Sequence, residues 1–308
     1  MSSEPPRIAV FGGSGYIGGR LSAYLSAHQY DVTPISSRDL DVLTASAPDF
    51  QRLVDGCDAV VSLVGANENA AANDPLAALN LAVTAARCIG EAVAKCGVRR
   101  LVHFSTIHVY GILSGDVDEL RPPAPVHAYG AAHAAAENIL QTLARDRALD
   151  VVVFRLANAV GPPATPGVDR WTLLTNDLAR TLAETGKLKL RSAGHAWRDF
   201  IGLSEVCRAT LHALRLPALN GARVFNLGTG KVRRVLDVAQ DMADFAESLL
   251  GRRPELLRAS PQGTNPDLPM FTVRVDALKR TGFTPDSQIN EELRRLIEFA
   301  IAHFGEHA

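Results

Sequence analysis

The sequence predicts an α/β protein: a doubly wound parallel sheet with a smaller lobe assembled late in the chain. Three observations carry this. Short apolar runs alternate with helical patterns through the first half of the chain. A glycine-rich turn follows the first apolar run directly. Beyond residue 156 the alternation loosens into a stretch of prolines and glycines.

Residues 8–11, 32–35, 59–64, 101–105 and 151–156 are apolar and too short for helices, so they read as buried strands. Residues 16–28, 47–54, 75–96 and 129–145, which lie between them, read as helices. The third begins with Asp74 as N-cap and Pro75 at the first helical position, a strong start signal. Regular strand–helix alternation means a parallel sheet covered on both faces. Gly161-Pro162-Pro163-Ala164-Thr165-Pro166-Gly167 cannot continue a helix or a central strand and reads as the exit into a second lobe. After it, 171–185 reads as a helix, 188–190 as a short strand, and 198–201 leads into a helix capped at Ser204. A strand at 224–227, a helix at 235–249 and an amphipathic helix at 289–304 complete the chain. Residues 1–160, with returning segments at about 198–227, are therefore assigned to the dinucleotide-binding domain, and 161–197 with 228–308 to a substrate-binding lobe.

The 308 residues are enough for a large core. A formal net charge of -1 gives no electrostatic footprint for nucleic acid or an anionic membrane, so neither is expected as a partner. Cys57, Cys88, Cys96 and Cys207 lack metal or disulfide-framework spacing and read as buried thiols of a cytoplasmic protein. Residues 1–7 contain no signal-type apolar run, and no stretch reaches the ~18 consecutive apolar residues of a membrane span.

Gly12-Gly13-Ser14-Gly15-Tyr16-Ile17-Gly18 links the first strand to the first helix. Gly12 permits the tight turn, Gly15 lets backbone approach a pyrophosphate, and Gly18 lets helix and sheet pack closely. This is a Rossmann-type dinucleotide turn in context, with Gly-x-x-Gly-x-x-Gly spacing. The second strand ends Ile35-Ser36-Ser37-Arg38. A carboxylate there would bind the adenosine ribose of NAD. Small hydroxyls and an arginine suit a 2′-phosphate instead, so Ser37 and Arg38 favour NADP over NAD. The competing reading makes Arg38 a solvated charge and Asp39 the ribose ligand.

Ser105 and Thr106 end a buried strand at the carboxyl edge, where open α/β sheets bind ligands. Tyr129 opens a helix from the next loop, and His133 follows one turn later on the same face. A phenol, a positioning hydroxyl and a nicotinamide together imply proton transfer at an alcohol or ketone oxygen coupled to hydride transfer at its carbon. His103, His108, His127 and His133 lie on different elements without ligand spacing, and no metal site is expected.

At these residues the chain resembles the extended short-chain dehydrogenase/reductases of the NAD-dependent epimerase/dehydratase type. The likeness spans nearly the full chain. The resemblance implies cofactor contacts from the turn (Gly12, Ser14, Gly15, Tyr16, Ile17, Gly18), from Asp41 and Val42 near adenine, from Val64, Gly65 and Ala66 under the nicotinamide half, and from Asn80. Ser105-Thr106-Ile107-His108-Val109-Tyr110-Gly111 is similar to its Ser-Ser/Thr-x-x-Val-Tyr-Gly motif, which implies Thr106 as the catalytic hydroxyl. Tyr129 matches the acid/base tyrosine of Tyr-x-x-x-Lys. Asn158 in Arg155–Pro162 and Arg198 in Arg198-Asp199-Phe200-Ile201 match substrate-contacting positions, and Phe225–Gly230 matches Tyr/Phe-Asn-Leu-Gly-Ser-Gly.

Three departures shape the expectation. His133 stands where the family has its lysine, which bonds the nicotinamide ribose and keeps a positive charge near the tyrosine. Imidazole can hold the ribose but lacks a permanent charge. Ile107-His108 replaces the Asp-Glu of dehydratases, which disfavours water elimination and makes His108 a candidate substrate-side group. No obvious second diphosphate arginine stands in 258–270, where the group often has one, and Gln262 or Asn265 would be weaker there. The expected function is an NAD(P)-dependent sugar epimerase or ketoreductase with a sugar or nucleotide-sugar substrate, with Thr106, Tyr129 and His133 catalytic. The alternative is a cofactor-binding sensor or partner protein of the same fold with weakened catalysis. The family often dimerises through a four-helix interface, so helices 75–96 and 129–145 imply a homodimer.

Overall fold

The computed structural model describes residues 4–259, 269–286 and 288–305, so Gln262 and Asn265 lie outside the described residues. Six parallel strands form the main sheet in the order Ala222–Leu227, Asp150–Leu156, Arg100–Thr106, Ala59–Ser62, Arg7–Phe11, Asp31–Ile35. Each expected strand of the first half is present within two residues of its bounds. The chain runs from Arg7–Phe11 outward to Asp31–Ile35, then returns to Ala59–Ser62 on the other side. That reversal opens a crevice above the carboxyl ends of these strands, where ligands of doubly wound sheets bind.

Helices cover both faces. Leu21 and Leu25 of Tyr16–Ala27 pack one face with Val206, Leu211 and Leu214 of Leu203–Arg215. Phe50, Ala85, Ile89, Val93 and Leu140, from Ala47–Val54, Pro75–Lys95 and Ala128–Arg147, pack the other. A fully buried leucine contributes roughly 1.5–3 kcal/mol each, so the two layers are mutually dependent. Pro75–Lys95 is long and apolar enough by length and composition to span a bilayer, but its alanine stripe is buried against sheet and neighbouring helix.

A separate cluster gathers Val160, Trp171, Leu178, Phe200, Val238, Met242, Leu293 and Ile297 into the second lobe. Its small sheet joins Val232–Arg234, Trp197–Gly202 and Asn158–Val160. One expected cap is corrected. Helix Leu203–Arg215 begins after Gly202, and Ser204 sits inside its first turn. The capping acceptor is supplied from afar: the Ser204 N–H donates to Glu292 Oε1 on the last helix (3.0 Å). The sequence reading also passed over the one-and-a-half-turn helix Glu68–Asn73 and the paired three-residue strands Gly115–Val117 and Phe271–Val273, all too short for a periodic signal.

Candidate active site

A cleft of about 810 Å³ opens above the strand reversal. Its floor is the glycine turn. Gly12 has φ +79°, a left-handed conformation that favours glycine. A Cβ on Gly18 would land on the Gly12 carbonyl oxygen, so the turn can close against the helix only with glycine there. Gly15 is the N-cap of Tyr16–Ala27, and no side chain caps that end. The first-turn N–H groups and the positive end of the helix dipole are thus left to an anion from the cleft. This is the cradle a dinucleotide pyrophosphate needs, and the residues fit it. Ser14, Tyr16, Ile17, Ser37, Asp41, Val42, Val64, Gly65 and Ala66 line the same cleft. Tyr16 also fastens the turn to the second lobe by donating its hydroxyl to the Gly161 carbonyl (2.8 Å).

The carboxylates beyond the second strand both accept local hydrogen bonds. Asp39 Oδ2 accepts both the N–H (2.8 Å) and the hydroxyl (2.6 Å) of Ser36. Asp41 accepts from the Leu43 N–H (3.0 Å) and the Thr44 hydroxyl (2.9 Å). Arg38 donates its N–H to Ser36 Oγ (3.2 Å) and is exposed, and its side chain is outside the cleft lining. Asn80 is likewise exposed, accepting from Thr84 on its own helix (3.4 Å), and the structure does not bring it to the cleft.

Alternation along Arg100–Thr106 sends Ser105 and Thr106 to opposite faces. Ser105 donates to Glu137, which holds Arg155 through Nη2 to Oε2 (2.7 Å) and Nε to both oxygens. The Arg155 guanidinium lies 4.7 Å from the Tyr110 ring centroid, and the Tyr110 hydroxyl donates to Asn226 (2.6 Å). This buried network ties together the carboxyl ends of three adjacent strands, and so fixes where Thr106 emerges.

Thr106, His108, Tyr129 and His133 all line the cleft. Three imidazoles surround the phenol: ring centroids of His133, His108 and His127 stand 4.7, 5.9 and 6.2 Å from that of Tyr129. His133 lies against Gly65, where even a methyl group would touch its ring at 3.4 Å. Burial pushes the Tyr129 hydroxyl up to about 12; Glu68 adds to the rise, while Arg170 and the Thr106 hydroxyl oppose it. Burial also pushes His133 down to about 3 and His108 down to about 4, with His127 and Arg198 adding to the latter. At neutral pH the site therefore presents a protonated phenol beside the neutral imidazoles of His108 and His133.

Asn158 lines the cleft, accepting from Arg198 Nη1 (3.0 Å) and donating to the Asp199 carbonyl (2.9 Å). Arg198 is outside the lining, has no ion pair among the described residues, and is lowered by burial. The sequence reading missed Glu68 and Arg170, which face each other across the cleft with Oε2 and Nη2 3.3 Å apart. A carboxylate just after the Val64–Ala66 segment and an arginine three residues past the glycine-proline stretch were the only signals.

Comparison with known proteins agrees with this geometry. The model of the NAD dependent epimerase/dehydratase family matches residues 8–228. The chain is 29% identical to a dTDP-6-deoxy-L-talose 4-dehydrogenase (NAD(P)(+)) of Kitasatospora kifunensis, covering 96% of this chain and 95% of that one. It is 26% identical to a UDP-glucose 4-epimerase of Corynebacterium glutamicum, with coverage of 96% and 95%. The fold is similar to that of RMD from Pseudomonas aeruginosa complexed with NADPH (TM-score 0.81, 22% identity, 97% of this chain and 98% of that one). The turn, the Ser-Thr strand end, the tyrosine and the matched span point one way: this chain belongs to the NAD-dependent epimerase/dehydratase family, within the extended short-chain dehydrogenase/reductases.

Proposed function

We propose that the protein is an NADP(H)-preferring ketoreductase acting on a keto sugar carried by a nucleoside diphosphate. The observation that carries this reading is that Tyr129 and Thr106 line one cleft with the Gly12–Gly18 cradle, the phenol in its acid form. A phenol held in its acid form is prepared to give a proton to a carbonyl oxygen. Removing a proton from an alcohol would first require the phenolate. A cofactor with its pyrophosphate on the Gly12–Gly18 cradle would, in its reduced form, supply the hydride. Thr106 would hold the carbonyl oxygen, His133 would accept or donate one hydrogen bond to the cofactor ribose, and Asn158, held by Arg198, would meet the substrate. Cofactor choice follows from the second strand end, where Asp39 and Asp41 are both engaged locally and Ser36 and Ser37 face the cleft.

The test is to supply NADPH deuterated at the transferable position together with nucleotide-linked 4-keto-6-deoxy sugars, and to analyse product by mass spectrometry. Deuterium in the product supports the reductase. An isomerised product without deuterium, from protein that purifies with nucleotide bound, would establish the epimerase. No turnover with retained cofactor binding would favour the sensor reading. The protein is further proposed to form a homodimer through Pro75–Lys95 and Ala128–Arg147, where Leu76 and Leu79 are left exposed. Sedimentation of a Leu79→Lys variant tests that.

A further inference from the structure

On the proposed reading, Tyr129 would give its hydroxyl proton to the carbonyl oxygen, breaking its O–H bond, and the hydride to the carbon would come from the reduced cofactor. A phenolate is left in a buried site. The family answers that charge with its lysine; this chain has an imidazole that stays neutral. The groups around Tyr129 can be enumerated. Its own helix offers His127 and His133, the turn Ile107–Tyr110 offers His108, and the strand beneath offers His103. Arg198 lies beyond His108 and is bonded to Asn158. Glu68 comes from helix Glu68–Asn73, and Arg170 from the loop before helix Leu174–Thr185. Two of these are permanent cations, and Arg170 is the one that shares the cleft lining with the phenol.

Arg170 is presented from a braced loop. Asn176 Nδ2 donates to its carbonyl (3.1 Å), and the neighbouring Trp171 Nε1 donates to the Pro166 carbonyl (2.9 Å). Its guanidinium is mostly shielded (24% exposed) and meets the more exposed Glu68 across the cleft (3.3 Å). We propose that Arg170, reaching from the second lobe, is the cation that stabilises the Tyr129 phenolate in place of the absent lysine, with Glu68 offsetting it in the resting site. Arg170 acts through Tyr129 and is a positioning residue. The opposed effects of Glu68 and Arg170 on Tyr129, and on His133 as well, agree with this placement. The proposal rests on Tyr129 being the acid/base of the reaction.

The experiment is a tyrosinate absorbance titration of the full chain, each sample referenced to its Tyr129→Phe counterpart. Glu68→Gln removes the opposing carboxylate, and the Tyr129 ionisation should move down by about one pH unit, the shift expected for a partly exposed charge lining the same cleft. Adding Arg170→Gln should move it back up, whereas Glu68→Gln with Arg170→Lys should stay low. Circular dichroism confirms that each variant is folded, and the charge-retaining lysine variant guards against a merely structural effect. If Glu68→Gln titrates at the same pH with and without Arg170→Gln, the proposal is overturned. If instead Tyr129→Phe retains full hydride transfer, it is the ketoreductase reading that fails.

Discussion

The imidazole of His133 meets the ring of Tyr129 edge to face, with centroids 4.7 Å apart and planes at 72°. The side chain one turn beyond Tyr129 thus packs against it. Burial keeps that imidazole neutral. A catalyst that had merely lost its lysine would regain rate when lysine is restored. A site built around this contact would not, because an ammonium there must be desolvated and needs a partner. We expect His133→Lys to change the turnover number by less than about tenfold, measured by nicotinamide absorbance, against the ~10²–10⁴ contributed by a positioned acid. A rise of several hundredfold from a near-zero start would identify a retired enzyme.

Acid stability follows from the same burial. His103 is held down to about 4 with both ring nitrogens unpartnered among the described residues, His108 to about 4 and His133 to about 3. As pH falls below the ordinary value of 6.5, the unfolded chain takes up protons that the folded chain refuses. Stability is therefore complete above that value and is lost between there and about pH 4, with His133 continuing to about 3. Each such proton contributes ~1.4 kcal/mol per pH unit at the steepest. Asp199, raised to about 6 by burial, works in the opposite sense between its folded and ordinary values. Urea unfolding at pH 7 and pH 5 should show the loss, and His103→Leu should reduce it by about one proton's worth. An unchanged pH dependence in that variant would contradict this account.

Much of this site was legible in the sequence because its parts obey local rules. Gly12 and Gly18 announce a turn with no room for side chains, and Thr106 and Tyr129 fall where strand end and helix start meet. Arg155 and Asn226 matched family motifs, but their work is to brace strand ends through Glu137 and Tyr110, a fact visible only in three dimensions. Glu68 and Arg170 stayed hidden because they are 102 residues apart in sequence and meet only in the folded chain. Periodicity cannot report a contact of that kind.

The bracing network should be costly to break. The Arg155 and Glu137 side chains are only 4% and 1% exposed, so removing one leaves the other charged and buried. Arg155→Leu should destabilise the fold by about 3–5 kcal/mol. The double replacement Arg155→Leu with Glu137→Leu should recover much of that loss, because it leaves no orphaned charge. Paired denaturant unfolding curves measure both; equal losses in the single and double variants would show that the network contributes something other than charge compensation.

The proposed preference for NADP(H) is tested at Arg38. Its side chain makes no ion pair among the described residues, and the two nearby carboxylates of Asp39 and Asp41 are occupied by Ser36, Leu43 and Thr44. A guanidinium left without an acidic partner beside Ser36 and Ser37 can swing onto a 2′-phosphate as that group arrives. A charge-assisted bond of this type is worth about 1.5–3 kcal/mol, or roughly ten- to a hundredfold in affinity. Arg38→Ala should therefore weaken NADP(H) by that factor while leaving NAD(H) within about twofold, because NAD(H) has no 2′-phosphate for the arginine to hold. Calorimetric titration of both cofactors reads the ratio directly. Unchanged NADP(H) affinity in the variant would return Arg38 to the status of a solvated charge and leave the ribose to a carboxylate.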